Sequence, residues 1–260
     1  QSAFIRNHAT ESGAVALNDA SMATRMQVLN CTFAENTSRA THSFKNPLFG
    51  GSSIRVYGDT ATVLTLINTT CVRDTNTCLT ASGAPAANYN GAAIVVAQGQ
   101  LKVYNSLIAN HYATSARADL YLSDKATLLA DVHTVYSPTS PDEQCLGAIT
   151  YQDDMPYIPL LADSYAGIPL VCLAADDLSE QTFGEDINGN GITDDSLTAD
   201  ALGNVRSLPA TIGAVEYHAP QALPKTEHTL PTVQKFLIRN QIRICVYGQI
   251  YDLLGHRIEE

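Results

Sequence analysis

Tryptophan is absent from the 260 residues and methionine occurs three times, so any aromatic surface must be built from the 12 tyrosines and 6 phenylalanines. Basic side chains are scarce as well. Lys and Arg number 15 against 26 Asp and Glu, a formal net charge of -11 with an isoelectric point near 4.9. That balance argues against recognition of a nucleic-acid backbone, because binding phosphates needs positive charge. No apolar run approaches the roughly 18 residues of a membrane-spanning helix. The opening Gln1-Ser2-Ala3-Phe4 has none of the basic, apolar and small-residue regions of a leader, and it reads as the middle of a repeat, which predicts a further segment upstream.

Cysteines 31, 71, 78, 145, 172 and 245 include no CxxC and no Cys/His pair at zinc spacing. Cys31 and Cys71 fall in strand-like runs as small core residues. Cys145 and Cys172 lie in a turn-rich region and form the pair to test for a disulfide. The seven histidines show neither HExxH nor a GxSxG companion, and no phosphate loop or dinucleotide fingerprint occurs. His8 and His111 each follow an Asn, suggesting matching positions on a surface stripe.

The chain does repeat itself. Phe4-Ile5-Arg6-Asn7 precedes Gly13-Ala14-Val15, Phe33-Ala34-Glu35-Asn36 precedes Gly50-Gly51, Cys71-Val72-Arg73-Asp74 precedes Gly91-Ala92-Ala93-Ile94, and Leu107-Ile108-Ala109-Asn110 closes a further unit. Ahead of these elements stand Asn30, Asn68 and Asn105, each entered by a β-rich run: Met26 to Leu29, Val63 to Ile67 and Leu101 to Tyr104. Each unit therefore reads as strand, Asn, short strand, Asn turn, variable loop, Gly, strand. Asn tolerates the left-handed backbone of a sharp corner, Gly permits close approach of neighbouring coils, and the apolar residues fill an interior that one unit alone could not bury. The fold class expected is all-β, a right-handed parallel β-helix (a pectate-lyase-like solenoid) with a small C-terminal β-hairpin segment. A β-sandwich would instead need hairpins closed by Asn-Gly or Asp-Gly, found only at Asn90-Gly91 and within residues 188 to 191.

The paired FxxN and Gly-Gly-Ala elements resemble the repeats of polymorphic outer-membrane proteins. FxxN is intact twice, and Cys71 and Asp74 replace its ends in one copy. Asp200-Ala201-Leu202-Gly203-Asn204-Val205-Arg206, followed by Ile212-Gly213-Ala214-Val215-Glu216-Tyr217, resembles the ending of exported bacterial β-helix proteins called choice-of-anchor proteins. In that group the ending closes the helix ahead of an attachment or sorting segment. The resemblances imply display at the surface or outer membrane, or secretion, by a Gram-negative bacterium, with adhesion for some members and no catalytic constellation.

Residues 137 to 165 carry four prolines and are expected to lead out of the coils. An acidic closing segment, 166 to 217, completes a first domain of residues 1 to 217. Within it Asp186, Asn188 and Asn190 alternate as oxygen ligands, Gly191 takes the sixth position, Ile192 offers a carbonyl and Asp194 stands ninth, which is the first part of a calcium loop. Position twelve is Leu197 rather than a bidentate Glu, and a solvated Asn/Gly turn is the competing account. After a linker, 218 to 229, the tail 230 to 260 alternates from Phe236 to Tyr247 as one half-buried strand, turns at Gly248 and continues as a second short strand from Ile250. It resembles the sorting tails of Gram-negative secreted proteins, and a cap over the open coil end is the alternative.

The function expected is a non-catalytic, adhesin-like or glycan-binding module whose partner is a host or matrix protein or a polysaccharide. Loops 37 to 49, 75 to 90 and 111 to 118 would supply the contacts, with Tyr89 and Tyr112 as candidate ligand-binding rings. The alternative is a polysaccharide lyase or glycoside hydrolase with part of its catalytic coils upstream; acids within the repeats are separated, and Asp119 near Arg117 reads as a surface ion pair. No cofactor is expected other than calcium.

Overall fold

The computed structural model describes residues 2–41, 50–80, 82–84, 92–114, 118–137, 149–150, 157–165, 168–173, 183–206, 210–216, 234–238, 241–246 and 249–251. The chain forms two compact units, Gln1–Tyr217 and His218–Glu260. Secondary structure among the described residues is all β.

A first turn of the chain is laid down by β1 (Ala3–Ile5), β2 (His8–Ala9), β3 (Val15–Leu17) and β4 (Arg25–Leu29). The second consists of β5 (Thr32–Ala34), β6 (Thr37–Thr41), β7 (Ile54–Tyr57) and β8 (Val63–Ile67). In the third, β9 (Thr70–Val72) and β10 (Thr75–Leu79) precede one long strand, β11 (Ile94–Tyr104), which serves two faces. The fourth runs through β12 (Leu107–Ala109), β13 (Tyr112–Ala113), β14 (Leu120–Leu122) and β15 (Ala126–Val132), and β16 (Val135–Tyr136) and β17 (Ile149–Thr150) extend the first face.

Corresponding strands pair in parallel. The sheets run β1-β5-β9-β12-β16-β17, β2-β6-β10-β13 and β3-β7-β11-β8-β4, with β14 and β15 also on β11. Hydrogen-bonded neighbours in the stack are separated by 29 residues at Asn7 and Asn36, 38 at Asn36 and Asp74, and 37 at Asn68 and Asn105. The arrangement is consistent with a parallel β-solenoid, and the parallel pairing is incompatible with an antiparallel sandwich.

Inward side chains form columns through the stack. Phe4, Phe33, Cys71, Ile108 and Tyr136 occupy one column, and the rings of Phe4 and Phe33 stack with centroids 4.7 Å apart. Met26, Leu64, Leu101 and Leu128 occupy another. Cys31, Cys71 and Cys78 are buried free thiols; Cys145 and the side chain of Cys172 lie outside the described residues, as does the disulfide expected between them. A bulge between Leu101 and Lys102 leaves Leu129 exposed in β15.

Two corners of every coil are two-residue connections whose first residue is left-handed. At one, Asn30, Asn68 and Asn105 have φ of 50°, 49° and 44°, and His133 takes the same place at 54°. At the other the left-handed residues are Arg6, Glu35, Arg73 and Asn110, with φ of 56°, 56°, 58° and 61°. The expected role of the FxxN asparagine is thus corrected. Left-handed backbone falls on the residue before it, and the Asn36 side chain bonds the preceding coil instead. The fourth unit also shifts by one residue, since Ile108 and not Leu107 pairs with Cys71. His111, not Asn110, therefore takes the FxxN place, and His8 shares its column with Thr37, Thr75 and Tyr112 rather than with His111.

Residues 157 to 165, expected as part of a turn-rich exit, form β18 (Tyr157–Tyr165), antiparallel to β19 (Ile168–Leu173). Pro159 pairs with Val171 in this two-stranded ribbon, where each strand has a free edge that tolerates a missing donor. In the second unit the single strand expected over 236 to 247 is two: β20 (Gln234–Ile238) and β21 (Gln241–Val246) run antiparallel, and β22 (Gln249–Tyr251) adds to β21. Period-two alternation passes unbroken through a two-residue connection, so the pattern concealed the reversal.

The Asn corner yields the first prediction. Asn68→Val places a β-branched residue at positive φ and removes the acceptor of the Asn105 Nδ2 bond (2.7 Å). It is expected to lower stability by about 1–3 kcal/mol, whereas Asn68→Gly, which loses only the hydrogen bond, costs less. Chemical denaturation of the two variants checks the order; equal losses would show that backbone strain is not the governing term.

Candidate functional site

Three polar constellations stand out on the first unit. The innermost is a ladder at the FxxN corner. The Asn7 backbone N–H donates to Asn36 Oδ1 (3.1 Å), the Asn36 N–H to Asp74 Oδ1 (2.7 Å) and the Asp74 N–H to His111 Nδ1 (3.0 Å). Each side chain thereby satisfies an amide of the preceding coil, which a sharp corner would otherwise leave without a partner. Ser53 Oγ also donates to Asp74 Oδ2.

Burial pushes the Asp74 carboxyl up to about 7 despite the hydrogen bonds from Ser53 and Asn36. Burial likewise pushes His111 down to about 3, in keeping with a neutral ring whose Nδ1 accepts a hydrogen bond. The side chains of the pair are 1% and 0% exposed, 3.6 Å apart, so this is a structural polar core without access for substrate. His111 is buried where a surface stripe was expected. Asp119, expected as a surface ion-pair partner, is also fully buried and accepts from Ser137 Oγ (3.1 Å).

A second constellation is built by the closing motif. Arg206 Nη2 donates to Asn30 Oδ1 (3.0 Å), Gly213 O (2.8 Å) and Ala214 O (3.1 Å), while Nη1 reaches Thr211 O (3.1 Å) and Glu216 Oε2 (3.4 Å). Asp200 accepts the N–H groups of Leu202, Asn204 and Glu216. Gly213 is held against the third coil by its N–H to Asn105 O (2.9 Å) and has φ of 95°, and Thr70 Oγ1 takes the N–H of Ala214 (2.8 Å). The motif is thus a clasp along the Asn30–Asn68–Asn105 corner, spanning three coils.

The third is a cleft of about 540 Å³ on the outer face of β4, β8 and β11, roofed by residues 184–193. Its floor is two rows at coil spacing: Gln27, Thr65 and Lys102 in one, Arg25, Val63 and Gln100 in the other. Gln27 Nε2 donates to Asp186 O (2.7 Å), and Lys102 Nζ pairs with Glu185 Oε1 (2.6 Å), which also accepts from Tyr104 Oη (2.9 Å). Burial and the neighbouring Glu185 carboxylate raise the Tyr104 phenol above its ordinary value, so the hydroxyl is a hydrogen-bond donor here and not a base.

The roof contains the expected calcium loop. Asp186 Oδ1 accepts from the amides of Gly189 (2.7 Å) and Asn190 (3.0 Å), and Oδ2 from Gly191 (2.9 Å). Asn188 Oδ1 and Asn190 Oδ1 accept from the amides two residues on. Asp195 closes the loop by accepting from Ile187 and Asn188 amides, whereas Asp194 stands exposed outside these bonds. Carboxylate, amide and carbonyl oxygens suit a hard cation in kind, and the same oxygens fold the loop through hydrogen bonds alone.

Tyr112 is 62% exposed at the start of β13, and Tyr89 lies outside the described residues. The loops expected to bind begin later than anticipated, since Thr37–Thr41, Thr75–Leu79 and Tyr112–Ala113 are paired strands. Thr37, Thr41, Thr75 and Thr77 favour strand, while the adjacent Ser38 and Asn76 carry a turn signal that masks it. Sequence reasoning missed the cleft altogether. Alternate polar residues in the β-rich runs signal its floor, but nothing local links them to a roof more than 80 residues away at Glu185.

Neither a protein-family model, nor a curated protein, nor a solved structure matches the chain.

The ladder carries a pH prediction. A carboxyl whose folded pKa is about 7 against an ordinary value of 3.8 contributes stability that is complete below pH 4 and is lost as pH rises through 7. Asp74→Asn, which restores the residue found at positions 7 and 36, is expected to match the parent near pH 4 and exceed it at pH 8, by at most roughly 4 kcal/mol. Denaturation at both pH values checks this, and an Asn variant weaker at pH 8 would refute the upward displacement of the Asp74 carboxyl.

Proposed function

We propose that the first unit is a right-handed parallel β-helix of a protein secreted by, or displayed on the surface of, a Gram-negative bacterium, acting as a non-catalytic adhesin-like or glycan-binding module. The observation carrying this reading is where the coils keep their length and where they do not. Both left-handed corners are two residues in every coil, while the connections from β6 to β7 and from β10 to β11, residues 42–53 and 80–93, insert at one and the same corner. Because β6 lies beside β10 and β7 beside β11 in register, both insertions leave adjacent points of the stack. Insertions gathered on one side of a repeat scaffold are the usual way such scaffolds acquire a binding surface.

The resemblance of the repeats and of the closing motif to exported β-helix proteins supports the assignment of location. Partners are host or matrix proteins or polysaccharides. The alternative, a polysaccharide lyase or glycoside hydrolase, needs carboxylates clustered on an accessible face; among the described repeat residues, Asp74 and Asp119 are buried. A glycan and matrix-protein array, scored together with product release from the same sugars, separates the two. Binding without turnover is expected, and a new reducing end or unsaturated product would overturn the reading.

Calcium is proposed at Asp186, Asn188, Asn190, Asp194 and the carbonyl of Ile192. Since this loop roofs the cleft and is tied to Gln27, bound calcium would raise the melting temperature, by RT ln(1 + [L]/Kd) in free energy. Calorimetric titration of chelator-treated protein checks it. Absence of heat together with an unchanged melting temperature would remove calcium from the account and leave the loop as a hydrogen-bonded turn.

A further inference from the structure

We infer that the cleft over β4, β8 and β11 is a subsite for a neutral polysaccharide chain lying along the stack. This rests on the reading of the chain as a glycan-binding module, and it assigns both the place and the chemical class of the ligand. A cleft of about 540 Å³ falls within the range of small-ligand sites. Its roof is fastened to the floor at two points, Gln27 to Asp186 O and Lys102 to Glu185. The space between those ties is therefore held open by hydrogen bonds and does not depend on a ligand to form it.

The groups left over inside are suited to hydroxyls. The Arg25 guanidinium and the Gln100 amide have no side-chain partner among the described residues, and Thr65 and Thr193 add hydroxyls. Arg25 and Gln100 stand two strands apart in one row, with Val63 between them, and Thr65 lies in the neighbouring row, so hydrogen-bonding groups recur in the first of these rows at about 9.6 Å, twice the strand spacing. A linear glycan following the axis crosses three coils and meets polar side chains of both rows at the first and the third. At one end Tyr104 and Phe183 stand ring to ring, 5.8 Å apart, beside a smaller cavity of about 190 Å³ that also touches His133. Such rings offer an apolar face to a sugar.

Charge selects the class. In the calcium-free chain the two cations of the lining, Arg25 and Lys102, are balanced by Glu185 and Asp186, so the cleft offers no excess charge to a uronate or sulfate. The whole chain carries -11 and repels a polyanion on approach. A neutral polyol suffers neither penalty.

The test uses the whole chain and calorimetric titration with size-fractionated cello-, xylo-, manno- and malto-oligosaccharides, with oligogalacturonate as the anionic comparison. Binding of at least one neutral pool is expected, weakened about tenfold by Gln100→Ala and by Arg25→Ala, each the loss of one good hydrogen bond, with melting temperature unchanged. His8→Ala, exposed on β2 and away from the cleft, is expected to leave it unaltered. Neutral glycan binding that survives both cleft substitutions would overturn the cleft as its site while leaving glycan binding by the module intact. Tighter binding of oligogalacturonate would overturn the neutral class. If no pool binds while a matrix protein does, the subsite falls and the adhesin reading stands; if nothing binds on either array or titration, both fall.

Discussion

Everything in the first unit depends on one backbone constraint: the chain must turn twice per coil in two residues, the first of them left-handed. L-residues resist that conformation by roughly 1–2 kcal/mol unless the side chain is Gly or Asn. At one corner the answer is local, with Asn30, Asn68 and Asn105 occupying the left-handed place. At the other it is collective. Arg6, Glu35 and Arg73 accept the strain, and from the second coil on the residue after the left-handed one (Asn36, Asp74, His111) supplies a side chain that bonds the corner amide of the coil before. The strained residues themselves alternate in sign through the stack, Arg6 to Glu35 at 2.9 Å and Arg73 to Glu35 at 3.5 Å. Exposed pairs of this kind contribute little individually, but alternation avoids the repulsion that a column of like charge would create.

Stacking identical corners creates a second problem, since each leaves polar groups facing a neighbour coil and not water. The clasp formed by residues 199–216 resolves it at the Asn30–Asn68–Asn105 corner. Arg206 is buried, and burial lowers its pKa, while Glu216 and Asp200 favour its charged form. A buried guanidinium is tolerable only with its donors used, and here carbonyls of Thr211, Gly213 and Ala214 surround it. Asp200, Gly213 and Glu216 therefore have structural duties: Asp200 collects amides, Gly213 approaches the third coil at positive φ, Glu216 faces Arg206. A motif with the look of a signature proves to be a lateral lock across coils.

How far the sequence could be read follows from this physics. The Asn residues at 30, 68 and 105 were legible because backbone strain restricts the residue type, and the β-rich runs before them because a narrow interior restricts the side chains. The two-residue corners made the strand order legible as well. What escaped were places where a column admits several chemistries. Asp74 and His111 substitute for Asn in one ladder because any acceptor of suitable reach can receive the amide, so a reader matching letters places the fourth unit one residue early. The reversal between Ile238 and Gln241 escaped for a different reason, since alternation has the same period in both strands of a hairpin.

The cleft shows most plainly where local reasoning stops. Arg25, Gln27, Val63, Thr65, Gln100 and Lys102 are simply the outward half of three alternating strands, and each strand alone reads as an ordinary solvated face. Only the in-register stack converts them into two rows, and only the return of Glu185 and Asp186 over those rows converts the face into an enclosure. A solenoid multiplies whatever its surface carries, because one side chain per coil becomes a line at strand spacing. A repeating ligand laid along the two rows meets polar side chains at all three coils in one row and at the outer two in the other. A compact ligand meets one coil and leaves the others unused. The periodicity that makes this fold thus biases what it can hold, favouring an extended polymer over a small molecule.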